Sequence, residues 1–267
     1  MDQRKICIFR NSTQVSVETQ KLLKIKLENS GFTVLTKFSE EAELIVCIGG
    51  DGAFLQTVHE LDFPHVPIIG INTGHLGFFQ EIQPNQLDDF IFQYKHGKYS
   101  IQLLSTVKAT TTIDGKQIVH RGLNEIIIRG DMSYSIHLNI SIGGSFIERF
   151  SGDGILVATP AGSTAYNYSL GGSIVDPRLN LLQLTPIAPM NTTAYRSFTS
   201  SILLPTNSSL EIMPEYTKNH GIQILVDGMQ YSYGDLEYIS IGLSTKEVKL
   251  LRFETYDFWS KVKSKFL

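Results

Sequence analysis

The sequence predicts an α/β domain at the N-terminus followed by a mostly antiparallel, β-rich domain, and three observations carry that prediction. Strand-like and helix-like apolar patterns alternate up to about residue 97, the period falls to two after residue 98, and glycine-rich turns follow the apolar strands of the first half. With 267 residues, 42% hydrophobic and 18% charged, the chain has ample material for a core. It lies outside the disordered, collagenous and low-complexity classes.

The first half reads in order. Lys5 to Phe9 is a strand, and Val15 to Leu27, with apolar residues at 15, 22, 23 and 27, is a helix stopped by Asn29-Ser30-Gly31. Phe32 to Leu35 is a short strand. Leu44 to Ile48 is apolar on both faces, as in a parallel sheet covered by helices, and ends at Gly49-Gly50. A helix follows from Gly52 to Leu61, then a strand from Pro67 to Ile71, a glycine-rich loop from Asn72 to Gly77, and a helix carrying Leu87, Phe90, Ile91 and Tyr94.

Beyond residue 98, three pairs of short runs flank turn dipeptides: Asp114-Gly115, Gly143-Gly144 and Asp227-Gly228. Each reads as a β-hairpin. One stretch interrupts the strands, Thr159 to Gly172, where Ser163 or Thr164 is expected to cap a short helix through Leu170. The tail from Tyr256 to Leu267 places Phe258, Trp259, Val262 and Phe266 at helix spacing and needs a docking surface.

With 26 acidic and 23 basic side chains the net charge is −3, so no strong field marks nucleic acid or an anionic membrane as partner. Only four apolar residues, Ile6 to Phe9, precede Arg10, too few for a signal peptide, and the longest aliphatic run spans five residues, Leu44 to Ile48. A cytoplasmic protein is expected, with Cys7 and Cys47 as buried reduced thiols. No zinc-ligand spacing occurs.

The sharpest local feature is Gly49-Gly50-Asp51-Gly52, after a buried strand and before a helix. Glycines there let a ligand approach the backbone, and free N–H groups at a helix start suit phosphate. A carboxylate in such a loop repels bare phosphate, so Asp51 holds Mg²⁺, accepts a proton from an attacking hydroxyl, or simply caps the helix. Two further glycine-rich turns, Asn72 to Phe79 with His75 in it, and Ser151 to Gly154, are candidate parts of one cleft. Asn124-Glu125 stands at a strand entrance, and Tyr166 and Ser169 share a face of the short helix. Signatures of P-loop NTPases, Rossmann dehydrogenases, zincins and α/β-hydrolases are absent.

Taken together, GGDG at 49–52, NTGHLGFF at 72–79, LNE at 123–125, GDG at 152–154 and TPAGSTAYNYSLGG at 159–172 closely resemble the NAD kinase family in order and spacing. The long TPAGSTAYN stretch is the specific mark. The resemblance implies an α/β nucleotide domain at 1–98, a β-sandwich NAD-binding domain at 99–250, and a tail at 251–267 returning to the first domain. It implies phosphoryl transfer from ATP or inorganic polyphosphate to the adenosine 2′-hydroxyl of NAD, a divalent metal such as Mg²⁺, and a homodimer or homotetramer.

By the same resemblance Asp51 is the base, and Gly49, Gly50 and Gly52 line the phosphates; His75, in the second glycine-rich loop, is a further substrate-binding candidate. Asn124, Glu125, Thr164, Ala165, Tyr166 and Ser169 hold the adenosine, with Phe78 against the adenine. Asp153 and Ala188 contact the nicotinamide end, and Asp227 completes the substrate-binding set. Two residues depart from the family pattern: Ala53 where Thr usually follows GGDG, and Ser151 where Arg often precedes GDG. A lipid or sugar kinase sharing the GGDG loop, and a non-catalytic NAD-binding sensor, are the competing readings. A sugar-sized or apolar acceptor pocket would mark the first, and NAD binding without turnover the second.

Overall fold

A computed structural model describes residues 4–131, 134–193, 196–215, 221–234 and 236–267. The chain forms two compact units, one built from Met1–Leu104 with Glu247–Leu267, the other from Ser105–Lys246.

In the first unit, β1 (Lys5–Arg10), β2 (Thr33–Leu35), β3 (Leu44–Gly49) and β4 (Ile68–Asn72) lie parallel in the order β2-β1-β3-β4. All of β3 and β4 is buried, which accounts for their unbroken apolar runs. Helices α1 (Gln14–Asn29), α2 (Asp51–Glu60) and α3 (Leu87–Lys95) connect or flank them. Thr13 caps α1, its hydroxyl accepting from the Ser16 N–H. The core gathers Ile6, Leu23, Leu27, Val46, Ile69 and Phe90 with Leu251 and Phe253 from the C-terminal segment. A short strand, β5 (Gln80–Ile82), pairs with β4 and has no sequence signal, because Gln-Glu-Ile carries neither an apolar run nor a clear alternation.

The second unit holds one antiparallel sheet of six strands in the order β13-β12-β11-β8-β15-β16. These are β8 (Glu125–Gly130), β11 (Gly154–Ala158), β12 (Leu181–Ile187), β13 (Ile202–Pro205), β15 (Ile222–Val226) and β16 (Met229–Tyr233). Against it lies a second layer containing β9 (Ile136–Ile142), β10 (Ser145–Gly152), β14 (Leu210–Glu215) and the first part of β17 (Tyr238–Arg252). Ile126, Ile128 and Val157 from one layer meet Leu138, Phe150 and Ile239 from the other in a single buried cluster, so the unit is a β-sandwich. The strands β6 (Ser100–Ile113) and β7 (Lys116–Gly122) form the first of the expected hairpins. At its turn Asp114 and Gly115 take φ of 49° and 70°, and Asp227-Gly228 repeats the pattern at 47° and 88°. These positive values match the right-handed strand twist, which is why Asp-Gly marks such turns.

The Thr159–Gly172 stretch differs from its expected form. A 3₁₀ turn over Ala161–Thr164 precedes a four-residue helix, α4 (Tyr166–Ser169), and neither Ser163 nor Thr164 caps it. The Ser163 hydroxyl is turned inward, accepting from the Val175 N–H at 2.9 Å and donating to the Val175 carbonyl at 3.2 Å. Thr164 donates back to Ala161 O at 3.4 Å. Asn167 is the knot: its amide donates to Ser163 O and Ser173 O, and its carbonyl accepts from Thr185 Oγ1 at 2.7 Å. A Cβ on Gly172 would stand 2.3 Å from Asn167 Oδ1, so only glycine closes the turn there.

Cys7 and Cys47 are buried free thiols. Helix α5 (Phe258–Phe266) belongs to the first unit, as does the buried ion pair of Arg252 and Glu81 at 2.9 Å, with side chains 6% and 5% exposed. Arg252→Leu leaves Glu81 charged in the interior with no cation on it and only the Phe253 N–H at 3.2 Å, so unfolding free energy should fall by about 3–5 kcal/mol in urea titration. A loss below about 1 kcal/mol would show that water reaches Glu81.

Candidate functional site

In the first unit, β3 delivers the chain to Gly49, where a Cβ would stand 2.5 Å from the Ala53 Cβ. The side chain of Ala53 therefore covers the backbone of Gly49. Gly50 and Gly52 have open space where a side chain would be. Gly50 is the N-cap of α2 and no side chain caps it, so Asp51 is the first helical residue and not the cap. Its carboxylate turns instead to the loop after β4. Oδ2 accepts from the Phe78 N–H at 3.0 Å and Oδ1 from the Phe79 N–H at 3.1 Å. A Cβ on Gly77 would lie 2.3 Å from Asp51 Oδ1 and 2.3 Å from Gln80 Oε1, so the second glycine-rich loop lacks a side chain where the carboxylate sits.

That loop is otherwise ordered by its own polar residue, Asn72, whose Oδ1 accepts from the Gly74 N–H at 3.1 Å. His75 is exposed. Phe79 stacks on Phe54 of α2 at 4.7 Å between ring centroids. Phe78 is only 8% exposed, its ring bracketed by Phe258 and Phe266 at 5.9 and 6.0 Å. Its faces thus belong to the tail helix, not to open surface.

In the second unit a cavity of about 430 Å³ opens over β8, lined by Glu125, Ile127, Arg129, Tyr134, Asp153 and Tyr166 among others. The turn before β8 is held by Asp227, whose Oδ2 accepts from the Leu123 N–H at 2.7 Å and whose Oδ1 accepts from the Asn124 and Glu125 N–H groups at 2.8 and 3.1 Å. Thr159 locks the same turn from the other side, donating to Leu123 O at 2.6 Å while its own N–H reaches Asn124 O at 2.8 Å. A Cβ on Gly162 would lie 2.1 Å from Asn124 O, so this glycine lets the TPAG segment close on the LNE turn.

The outcome is a buried carboxyl, Glu125, next to the half-buried Asp227. Burial first, and the Asp227 charge second, push the Glu125 carboxyl up to about 8. Asn124 Oδ1 and Glu125 Oε2 are both buried with no hydrogen-bond partner. Of the other expected residues, Asp153 and Tyr166 line the cavity with Glu125, whereas Ser169 is exposed on α4 and is not among its lining residues. Thr164 is 8% exposed, and Ala165 precedes α4 with φ −92° and ψ −135°. Ala188, at φ 45°, follows Ile187, whose carbonyl accepts from the Asp153 N–H at 3.0 Å. Ser151 is fully buried, so the departure from Arg lies in the interior of β10 and not on the cavity wall.

Sequence reasoning missed Arg129 and Tyr134. Arg129 was findable: 125, 127 and 129 share one face of β8 at period two, and all three line the cavity. Tyr134 lies outside any strand and carries no comparable signal.

Two family profiles match the chain, the ATP-NAD kinase N-terminal domain over residues 9–99 and the ATP-NAD kinase C-terminal domain over residues 123–253. The NAD kinase of Finegoldia magna is 40% identical over 269 residues, covering 98% of this chain and 97% of that protein. The fold is shared with a yeast NADH kinase complexed with NADH, at TM-score 0.83 and 20% identity over 97% of this chain and 86% of that one. It is shared too with an NAD kinase from Archaeoglobus fulgidus in complex with ATP, at TM-score 0.77 and 24% identity over 97% and 99% of the two chains. Matches of this length, running through both the Asp51 loop and the LNE turn, mean that the chain belongs to the NAD kinase family of phosphotransferases with an alcohol acceptor.

Proposed function

We propose that this chain transfers a phosphoryl group from ATP or inorganic polyphosphate to the adenosine 2′-hydroxyl of NAD, giving NADP. The carrying observation is the pair of partnerless buried oxygens, Asn124 Oδ1 and Glu125 Oε2, on adjacent residues. A ribose diol supplies two O–H donors, and a Glu125 carboxyl that stays largely neutral at pH 7 can both accept and donate. Leaving either atom unpaired in the interior costs about 1–3 kcal/mol, which an acceptor lacking the diol does not recover. Tyr166, 45% exposed, offers a ring face to the adenine with Thr164, Ala165 and Ser169 beside it. Asp153 and Ala188 take the nicotinamide end, and Arg129 supplies the cation that an anionic pyrophosphate needs in a cavity with two acids.

Asp51 is the proton acceptor in this reading. The 2′-oxygen attacks the terminal phosphorus, the bond from phosphorus to the bridging oxygen of ADP or shortened polyphosphate breaks, and the hydroxyl proton passes to the Asp51 carboxylate. The two N–H groups on Asp51 hold its oxygens in fixed directions, so its role is to orient the hydroxyl and take the proton as the new bond forms. Gly49, Gly50, Gly52 and the uncapped start of α2 receive phosphate oxygens. Phe78 enters through its backbone N–H.

Among the described residues, no three His, Cys, Asp or Glu side chains cluster as a metal cage. That fits Mg²⁺ arriving with the polyphosphate and sharing Asp51, since this ion is commonly held by one or two carboxylates plus substrate phosphates. When bound, it neutralises charge on the donor phosphates. Among the described residues no helix is long and apolar enough to cross a membrane, and the two buried free thiols support a cytoplasmic location. A homodimer or homotetramer would cover Phe146, Leu203 and Met213, which are 63%, 52% and 49% exposed; light scattering returning a fully active monomer would count against it.

Incubating the protein with NAD, Mg²⁺ and either ATP or polyphosphate, and assaying NADP, tests the function; NAD binding without NADP would return the sensor reading. Asp51→Asn removes basicity and turns an N–H₂ group towards one of two backbone donors. Turnover should fall by about 10²–10⁴ while NAD affinity holds, and a near wild-type rate would remove Asp51 from the chemistry.

Glu125 makes a second prediction. Its folded value near 8 exceeds the ordinary 4.5, so the folded state binds more protons between those limits and stability falls as pH rises through them. The loss at pH 9 relative to pH 4 is up to about 5 kcal/mol. Urea titrations of ligand-free Glu125→Gln should lack this slope and show a gain over wild type above pH 8. Parallel pH curves for the two proteins would place the carboxyl in water.

A further inference from the structure

The loop that holds Asp51 is itself held from behind. Lys265 Nζ donates to Leu76 O at 2.9 Å, Arg252 Nη2 to Phe78 O at 3.1 Å, and Lys261 Nζ to Gln80 O. Alternate carbonyls of residues 76–80 are therefore occupied by three cations from the last part of the chain. The N–H groups of Phe78 and Phe79 point the other way, to Asp51. One peptide links the two sets: the Phe78 carbonyl that receives Arg252 and the Phe79 N–H that reaches Asp51 Oδ1 belong to the same plane, so the cation polarises the donor that meets the carboxylate.

We propose that the C-terminal segment from Arg252 to Lys265 is a positioning device for Asp51, holding residues 76–80 so that two backbone N–H groups aim the carboxylate. The proposal rests on Asp51 being the reacting group of the function above. Helix α5 is built for a fixed placement. Asp257 caps it, accepting from Trp259 N–H at 3.0 Å and Ser260 Oγ at 2.6 Å. Phe258 and Phe266 bracket Phe78, and the Lys265 ammonium lies 5.4 Å from the centre of its ring.

Lys261 is held at a cost, since burial, followed by the Arg252 charge, pulls it down to about 8. A lysine serving only solubility avoids that cost. Gln80, 3% exposed and with both carboxamide atoms buried and unpartnered, shows how closely the loop has been drawn around the carboxylate. Geometry matters at this level because displacing a reacting group by about 1 Å can cost about 10²-fold in rate.

The test is the pair Lys261→Met with Lys265→Met, set against the Lys→Arg pair and against Lys263→Met, an exposed lysine of the same helix. Two readouts are taken: kcat and KM for NAD, and amide hydrogen exchange at Phe78 and Phe79. The Met pair is expected to lower kcat about tenfold with KM within about twofold, and to expose both amides to exchange. The Arg pair should keep kcat and protection, as should Lys263→Met. Unchanged amide protection in the Met pair overturns the proposal, and so does a loss of kcat that the Arg pair fails to rescue. If the double variant does not fold, Lys265→Met alone gives the same readouts. A wild-type protein that makes no NADP would refute the function, yet exchange at the two amides would still decide whether the tail holds the loop.

Discussion

A carboxylate folded onto consecutive backbone N–H groups is the constraint on which each unit depends. In the first, Asp51 accepts from Phe78 and Phe79; in the second, Asp227 accepts from Leu123, Asn124 and Glu125. Buried N–H groups must find acceptors, and an ionised one binds more strongly than a carbonyl. Each acid therefore selects one conformation of a turn that has no regular structure of its own. The turn in turn sets the direction of the groups proposed to do the chemistry, so a change at Asp227 would reach the Asn124 and Glu125 side chains through their own backbone N–H groups.

Having satisfied the backbone, these turns leave side chains unsatisfied. Asn124 Oδ1, Glu125 Oε2 and both polar atoms of Gln80 are buried without partners, on residues next to the two acid-held turns. Native interiors leave few such groups because each costs stability; besides these, Thr33 Oγ1, Ser151 Oγ and Gln223 Oε1 are buried without a partner elsewhere in the described residues. Backbone strain falls nearby as well: Asp227 and Ala188 take positive φ despite carrying side chains. At Asp227 the strain accompanies a tight hairpin turn; at Ala188 it follows the residue that lines the second-unit cavity.

Charge is distributed with the same economy. The net charge of −3 conceals a local arrangement in which Arg252, Lys261 and Lys265 all face one loop, and each meets a carbonyl oxygen. Arg252 also meets Glu81 and lies 3.6 Å from the ring centre of Tyr256. Such side chains build structure by pairing with backbone dipoles, which is why overall composition says nothing of them.

Much of this protein was legible in local pattern. Apolar runs placed β1, β3 and β4, helical spacing placed α1, α3 and α5, and Asp114-Gly115 and Asp227-Gly228 marked their hairpins because their φ values are set within two residues. Ordered motifs from GGDG to TPAGSTAYN placed the family and named Asp51, Asn124 and Glu125. What remained hidden depended on partners far away in sequence: Asp51 meets Phe78 across 27 residues, Asp227 meets Asn124 across 103, and Arg252 meets the Phe78 carbonyl across 174. Ser163, expected as a cap, turned inward to Val175, and Phe78, expected against a base, is bracketed by the tail helix. Periodicity and turn chemistry are encoded over a few residues, so sequence alone determined the elements that carry them, though not β5 or the form of the Thr159–Gly172 stretch; which buried donor finds which acceptor is settled only when both are withdrawn from water, and that the tertiary structure decided.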